Sequence, residues 1–453
     1  MDLFGTAGIR GSAVTDVTPE LAVAVGRAIA RADGGDRSTE LVIGRDGRTT
    51  GEGLASAVEA GALSGGASVR RVGVVPTPAL AYAARGRQGV MLTASHNPPG
   101  DNGIKLFADG VEFDGEAERA IERRVDDGSR PLDWDGWGEA RDASVLPAYR
   151  EAVVDHARRY GSSLDGLKVV VDCANGVAAL ATPAVLRRLG ANVVTLHGNV
   201  DGHFPGRESK PTPESLGGLR RFVADGDAAF GVGHDGDADR IVIVDGAGEV
   251  VHEDTVLAIV AERCVRDADA ADPVVVTTPN ASARIDERVV AAGGRVERVA
   301  LGSLHEGVAS VRDGDGTVAF AAEPWKHIHP GFGGWIDGVV SAAVIARLVA
   351  KEGLEALRDP IDERPYRKVS VACPDDLKKA TMDRLAATLP EAFPDGTVDR
   401  SHGIRLERPD GSWLLVRPSG TEPYVRLYAE SEAVEELVAT ARDRIERAVE
   451  AAA

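Results

Sequence analysis

Disulfide scaffolding is the first thing this sequence excludes. It has 3 cysteines in 453 residues, and Cys173, Cys264 and Cys373 lie far apart with no CxxC pair. That spacing argues against a structural disulfide or a zinc site and fits a reducing compartment. Long apolar runs are missing too: none approaches the ~20 residues that cross a bilayer. The opening MDLFGTAGIRG has neither a basic start nor an apolar centre, so a cytoplasmic setting without a secretory leader is expected. Positive charge is in deficit, with 52 Lys+Arg against 71 Asp+Glu and a formal net charge of −19. The acidic residues are spread along the chain, which argues against the basic face that nucleic-acid binding requires. Lysine is sparse beside arginine. Such a surface suits a protein in high salt, and an ordinary acidic cytosolic protein carries it as well. An anionic substrate would be repelled by this background, so its site must concentrate positive groups locally.

What is present is alternation. At about 150 residues per domain the length implies three units or more. The first three-quarters alternate short apolar strands with helical stretches, the pattern of parallel α/β layers. Thr18-Pro19-Glu20 reads as a capped helix start before LAVAVGRAIA. LVIGRD, RRVGVVPTP and GVMLTA read as strands. The pattern restarts near residue 167 with LKVVVDCANG, ANVVTLHG and AAFGVGHDGDADR, and IVIVDGAGEVV reads as a hairpin turning at Asp245-Gly246. A third round runs from Glu253 through PVVVTTP, RVERVAL and GTVAFAAE. Beyond Pro360 the strands RKVSVACP, GIRLERP, SWLLVRP and YVRLYAE with two helices make an α+β unit. The expected fold class is therefore α/β, three related α/β domains followed by an α+β domain, divided as 1–149, 150–250, 251–364 and 365–453.

Four stretches carry chemistry. TASHNPPGDNGIK places Ser95 and His96 at the C-terminal end of a strand, where parallel α/β units meet ligands. Pro98 and Pro99 forbid immediate helix continuation. A free serine is a weak nucleophile and needs a base, a metal or a positive field; Lys105 and His96 are the local partners, and a polar turn capped by Ser95 is the plain alternative. DGDADR sets Asp235, Asp237 and Asp239 on alternate residues, a spacing that converges on one hard cation if the backbone curls. The glycine and glutamate that an EF-hand needs at its sixth and twelfth positions are absent. Without a metal this is a solvated acidic turn. RPSGTEP, with Arg426 beyond it, gathers Arg417, Ser419, Gly420 and Thr421 into an oxyanion cradle or an ordinary loop between strands. FGTAGIRG is a glycine-punctuated turn holding Arg10.

FGTAGIRG, VIGRDGRT, GVVPTPAL, TASHNPPGDNGIK, DGDADR and RPSGTEP, in this order and across essentially the whole chain, resemble the motifs of the α-D-phosphohexomutases, which include phosphoglucomutase, phosphomannomutase and phosphoglucosamine mutase. The resemblance implies four domains around a central cleft. It implies Ser95 carried as phosphoserine, Asp235, Asp237 and Asp239 holding Mg²⁺ together with the serine's phosphate, Arg10 on that phosphate, and Lys105 as proton shuttle beside His96. Arg240 would face the substrate, while Arg417, Ser419, Gly420, Thr421 and Arg426 would clamp its non-reacting phosphate. The implied reaction interconverts a sugar 1-phosphate and its 6-phosphate through a sugar bisphosphate, which also serves as activator, in a monomer or homodimer with no membrane or nucleic-acid partner.

One departure concerns the sugar-reading loop. The family's usual small Ser-Gly pair is replaced in Ala322-Glu323-Pro324-Trp325-Lys326-His327-Ile328. Glu323 fits a carboxylate for sugar hydroxyls, Lys326 adds a donor, and His327 follows. The indole of Trp325 either narrows the pocket, which would suit a pentose, or packs into the core and relocates the loop. Gly302-Ser303-Leu304-His305 also departs from the family pattern. Besides the hexose mutase, these residues leave open a phosphopentomutase, a metal-dependent phosphatase using the same serine, and a non-catalytic sugar-phosphate sensor.

Overall fold

The computed structural model describes residues 3–5, 8–31, 40–419 and 422–453. Four separate sheets organise them. In the first, strand Glu40–Arg45 lies between Ser68–Val74 and Gln88–Leu92, both parallel to it, and Asp101–Ala108 returns antiparallel on Gln88–Leu92. The second repeats this: Lys168–Asp172 lies between Asn192–Leu196 and Phe230–His234, and Ile241–Asp245 returns antiparallel. The third repeats it again with Pro273–Thr277, Arg295–Arg298, Thr317–Glu323 and the antiparallel Lys326–Ile328. Numbered within each unit, all three sheets have the spatial order fourth, third, first, second. This is the internal repeat that the alternation led one to expect. The first sheet is extended by Ile9–Ser12, Val111–Glu112 and Ala140–Asp142. The last sheet has five strands, all antiparallel, between Tyr366 and Glu430.

Local signals explain most of these elements. Thr18 accepts a hydrogen bond from Leu21 N and Pro19 opens helix Pro19–Ile29, so cap and proline do what their chemistry favours. That helix packs closely on Gly51–Ser64, because a Cβ on Gly26 would come 2.1 Å from the Val58 carbonyl and one on Gly61 2.1 Å from that of Val23. The hairpin at Asp245-Gly246 is closed by backbone bonds from Asp245 N to the Glu249 carbonyl at 2.8 Å and from Val251 N to the Ile243 carbonyl at 2.9 Å, and by Asp245 Oδ1, which accepts from Ala247 N and Glu249 N.

The units are sutured rather than strung. Helix Leu146–Ala157 runs through the 149/150 division expected from sequence. On it, buried Tyr149 donates to Asp337 at 2.9 and 3.0 Å, and Asp337 in turn caps helix Gly338–Glu352. Among the described residues no helix is long and apolar enough to cross a membrane.

His156, His327 and His329 are buried together near Phe320 and Ser341. Burial pulls His156 down to about 3, helped by Arg159, and His327 down to about 3; it holds His329 well below the ordinary range, helped by His156. Charging them inside the fold would sacrifice solvation with no anion to replace it. Histidine-selective NMR should therefore show these three imidazoles still neutral at pH 5, whereas titration near 6.5 would mean they are solvated.

Candidate active site

The third strand of each α/β unit ends at the same place, and the loops beyond those ends meet. Gln88–Leu92 leads into Thr93-Ala94-Ser95, Phe230–His234 into Asp235, and Thr317–Glu323 into Pro324-Trp325. Ser95 is buried and held at φ +52°, a left-handed conformation that few non-glycine residues adopt and that collects at functional sites. Its Oγ donates to Asp235 Oδ2 at 2.7 Å. A hydroxyl from the first unit thus touches a carboxylate of the second.

Asp235, Asp237 and Asp239 are buried, and one oxygen from each lies within 4.8 Å of the others. Asp237 Oδ2 accepts from Thr77 Oγ1 at 2.7 Å and from Lys105 Nζ at 3.2 Å, and Asp239 Oδ2 accepts from Lys105 at 2.8 Å. Burial and the two neighbouring carboxylates hold Asp235 well above the ordinary carboxylate range. Burial opposes ionisation of Asp237 and Asp239, and Asp239 opposes that of Asp237, but Lys105 with Thr77 and Arg10 at Asp237, and with Arg240 and Lys326 at Asp239, together hold both below that range. Asp237 Oδ1 and Asp239 Oδ1 are buried and accept no hydrogen bond. Three clustered carboxylates with oxygens left unbonded are a donor set for a hard divalent cation. The residues fit one.

Arginine surrounds the cluster. Arg10, opposite Gly103 on strand Ile9–Ser12, keeps a buried Nε with no hydrogen-bond partner, and the buried Nε of Arg240 makes no hydrogen bond but lies 3.7 Å from Asp235 and 3.8 Å from Asp239. His96 Nδ1 is 3.4 Å from Ser95 Oγ. Burial, Arg240 and Arg10 pull this imidazole down to about 3, so it is neutral near pH 7. Burial alone would lower Lys105, yet Asp237, Asp239 and Glu112 hold its ammonium well above the ordinary range. Of the two groups expected to move a proton, His96 is in a state to accept one and Lys105 is held charged.

The cradle lies on the last sheet. Arg417 and Arg426 are direct cross-strand partners, both with buried, unpartnered Nε atoms. Arg417 donates to Tyr428 OH at 3.2 Å, and Arg426 to Glu422 at 2.9 Å and Tyr424 OH at 2.7 Å. Gly420 and Thr421 lie outside the described residues. The carbonyls of Ser419 and Glu422 on either side of them both accept from Lys378 Nζ, at 2.6 and 2.7 Å.

The sugar loop departs from the simplest expectation. Trp325, at φ +69°, packs against the apolar cluster of the second unit that contains Leu219, Val242 and Val244, and its carbonyl accepts from Ile241 N. The contact favours the packed alternative over a narrowed pocket. Lys326 bonds Glu323 at 2.7 Å and bridges the backbone of Arg240, bringing both side chains near the carboxylate cluster. His327 sits on the opposite face of the same short strand, buried on Ser341 Oγ at 3.1 Å, and is not gathered with them. Gly302 (φ +86°) and Ser303 precede helix Leu304–Asp313. Beside that helix a cavity of about 720 Å³ is lined by His305 and by Glu112, which also approaches Lys105 at 3.7 Å.

Several contributors escape sequence reasoning. Thr77 and Glu112 bear on the cluster only through folding. His234 closes the carboxylate loop, its ring spanning the Arg240 carbonyl at 2.8 Å and Thr182 Oγ1 at 3.0 Å. Lys378 bears on the cradle from a distant helix. Arg48 was visible inside VIGRDGRT, but nothing in that motif shows what it bonds.

A fold of three repeated α/β units and an α+β unit, with a serine on a carboxylate trio, defines a class, and comparison with known proteins specifies it. Residues 1–131 match the phosphoglucomutase/phosphomannomutase alpha/beta/alpha domain I, residues 147–248 its alpha/beta/alpha domain II and residues 371–448 its C-terminal domain. The chain is 41% identical over 438 residues to a phosphopentomutase of Thermococcus kodakarensis, covering 95% of this chain and 94% of that one. It is 42% identical over 442 residues to a probable phosphoglucosamine mutase of Methanopyrus kandleri, with the same coverage. A phosphoglucomutase/phosphomannomutase family protein of Burkholderia thailandensis superposes with a TM-score of 0.85 at 26% identity, over 99% of this chain and 97% of that one. The protein belongs to the α-D-phosphohexomutase family and is a mutase of that class.

Asp237→Asn should weaken divalent-cation binding at least about tenfold, as loss of a metal-site carboxylate contact does. Titration of purified protein with Mn²⁺ followed by electron paramagnetic resonance measures this, and unchanged affinity would remove Asp237 from the site.

Proposed function

We propose that this mutase moves a phosphoryl group between the anomeric and terminal oxygens of one sugar phosphate, using Ser95 as its phosphorylated carrier. The observation that carries the reading is the 2.7 Å contact between Ser95 Oγ and Asp235 inside a trio in which Asp237 Oδ1 and Asp239 Oδ1 accept no hydrogen bond. A transferring phosphoryl group spreads charge over its oxygens, and catalysis is mostly positioning plus neutralisation. Arg10 and Arg240 carry buried Nε donors that make no hydrogen bond and could serve those oxygens. In the forward step the Ser95 oxygen–phosphorus bond breaks as a sugar hydroxyl oxygen bonds to the phosphorus. The hydroxyl proton passes to a base, and neutral His96 is the group in a state to take it. The resulting bisphosphate turns over, its other phosphorus bonds to the Ser95 oxygen as its bond to the sugar oxygen breaks, and His96 returns its proton to that sugar oxygen. A divalent cation held by Asp235, Asp237 and Asp239, which we take to be Mg²⁺, would offset the charge accumulating there. Arg417 and Arg426 would grip the phosphate that is not reacting, with the 419–422 turn adding donors. That second anion site supports a mutase over a phosphatase, since hydrolysis needs only one.

A pentose phosphate is the second reading of the substrate. It is favoured by the phosphopentomutase relative at 41% identity and by the Lys326–Glu323 pair, which brings an ammonium to a loop that otherwise offers sugar hydroxyls a carboxylate.

Ser95→Ala should lower kcat by at least about 10³-fold while leaving the fold intact, as removal of a covalent nucleophile does. Full activity would refute the carrier role. Coupled assays with glucose 1-phosphate, glucosamine 1-phosphate and ribose 1-phosphate, each with a trace of bisphosphate, decide the sugar; a preference for ribose 1-phosphate would retire the hexose reading.

A further inference from the structure

A guanidinium has five N–H donors in a rigid fork, and every one belonging to Arg48 is used. Nε donates to Asp46 Oδ2 at 3.1 Å, Nη1 to the carbonyls of Pro98 at 2.5 Å and Asp101 at 2.8 Å, and Nη2 to those of Ser95 at 3.0 Å and Asn97 at 2.8 Å. The side chain is fully buried. Four carbonyls of the serine loop therefore converge on one cation at the end of a neighbouring strand. The counter-charge is built into the same brace. Asp46 accepts from Arg48 N at 2.9 Å and from Thr93 Oγ1 at 2.7 Å, and Thr93 Oγ1 accepts from Ser95 N at 2.9 Å. The second unit closes over it: Phe204 stacks on the Arg48 guanidinium at 5.1 Å, and Ser209 Oγ donates to the Asn97 carbonyl.

We infer that Arg48 is a positioning residue for phosphoryl transfer, holding Ser95 in its left-handed conformation so that Oγ stays on the carboxylate trio through the catalytic cycle. The inference rests on the carrier role proposed for Ser95. The backbone at Ser95 stores strain that only its surroundings can maintain. During turnover the charge on that side chain would change by about two units, pulling the loop toward cations and then releasing it. Anchoring four carbonyls to a group behind the loop fixes the peptide planes against that change. Lysine cannot replace it, because one ammonium has three donors and no fork.

The test compares Arg48→Met and Arg48→Lys with wild type. It measures steady-state kinetics, the rate at which glucose 1,6-bisphosphate loads phosphate onto Ser95 by mass spectrometry, and the melting temperature. Misplacement of the carrier predicts kcat and loading rate reduced about 10²-fold in Arg48→Met. KM should stay within about threefold, since the arginine cradle is untouched, and Arg48→Lys should recover only part of the loss. A folded Arg48→Met enzyme with wild-type kcat and loading overturns the inference, whatever its melting temperature. Should Arg48→Met not fold, Thr93→Val removes only the link between Asp46 and Ser95 N. It should lower kcat about tenfold with KM unchanged, and an unchanged kcat overturns the inference equally. Wild-type enzyme that turns over without phosphate on Ser95 overturns the carrier role and this inference with it, whereas normal loading in both wild type and Arg48→Met overturns the inference alone.

Discussion

Three carboxylates, one hydroxyl and one ammonium share a dry seam between two sheets, and the arrangement of the rest follows from keeping them there. Buried like charges repel, and their loss of hydration is expensive unless each finds a partner. Lys105, Thr77 and Arg240 supply part of that compensation, and two carboxylate oxygens are left over. The seam also needs its loops to touch. A Cβ on Gly236 would lie 2.6 Å from the Ser95 carbonyl, so only glycine lets the acidic loop pass beneath the serine. Two carboxylate oxygens without a hydrogen bond beside buried arginine donors are chemistry that a hard cation fits.

Repetition explains how one chain assembles such a place. Each α/β unit sends its working loop from the end of its third strand into its antiparallel fourth, the end at which parallel sheets present ligand groups. One loop carries the Ser95 hydroxyl, one the carboxylates and one the Glu323–Lys326 pair. The third joins the second directly through the Arg240–Lys326 bridge and the Trp325 carbonyl. The last sheet reaches the third unit through buried charge, with Glu430 3.3 Å from Arg284 and Arg405 donating to the Ala281 carbonyl.

The sequence announced what is local. Strand periodicity, the Thr18 cap and the acidic spacing of Asp235, Asp237 and Asp239 appear in the structure as read. Strand Asp101–Ala108 escaped notice because its first residues are polar and follow two prolines, so its strand character comes from pairing on both sides rather than from alternation. Helix Leu146–Ala157 blurs the first division for a similar reason: Tyr149 belongs to one unit by position and bonds Asp337 in another. Trp325 and His327 are candidates by their place in a motif, and the structure packs one against the second unit's core and the other on Ser341, contacts that the motif does not reveal. Arg48 and Lys378 act on carbonyls far along the chain and His234 on one six residues away, and carbonyls leave no trace in a residue pattern.

The central claim is that phosphorus passes between Ser95 and the sugar without entering water. Enzyme labelled with ³²P on Ser95, mixed with excess unlabelled sugar 1-phosphate and quenched within one turnover, tests it most directly. The account predicts that the label leaves the protein and appears in sugar phosphates. Label released as inorganic phosphate, or retained on Ser95 while product forms, would contradict it.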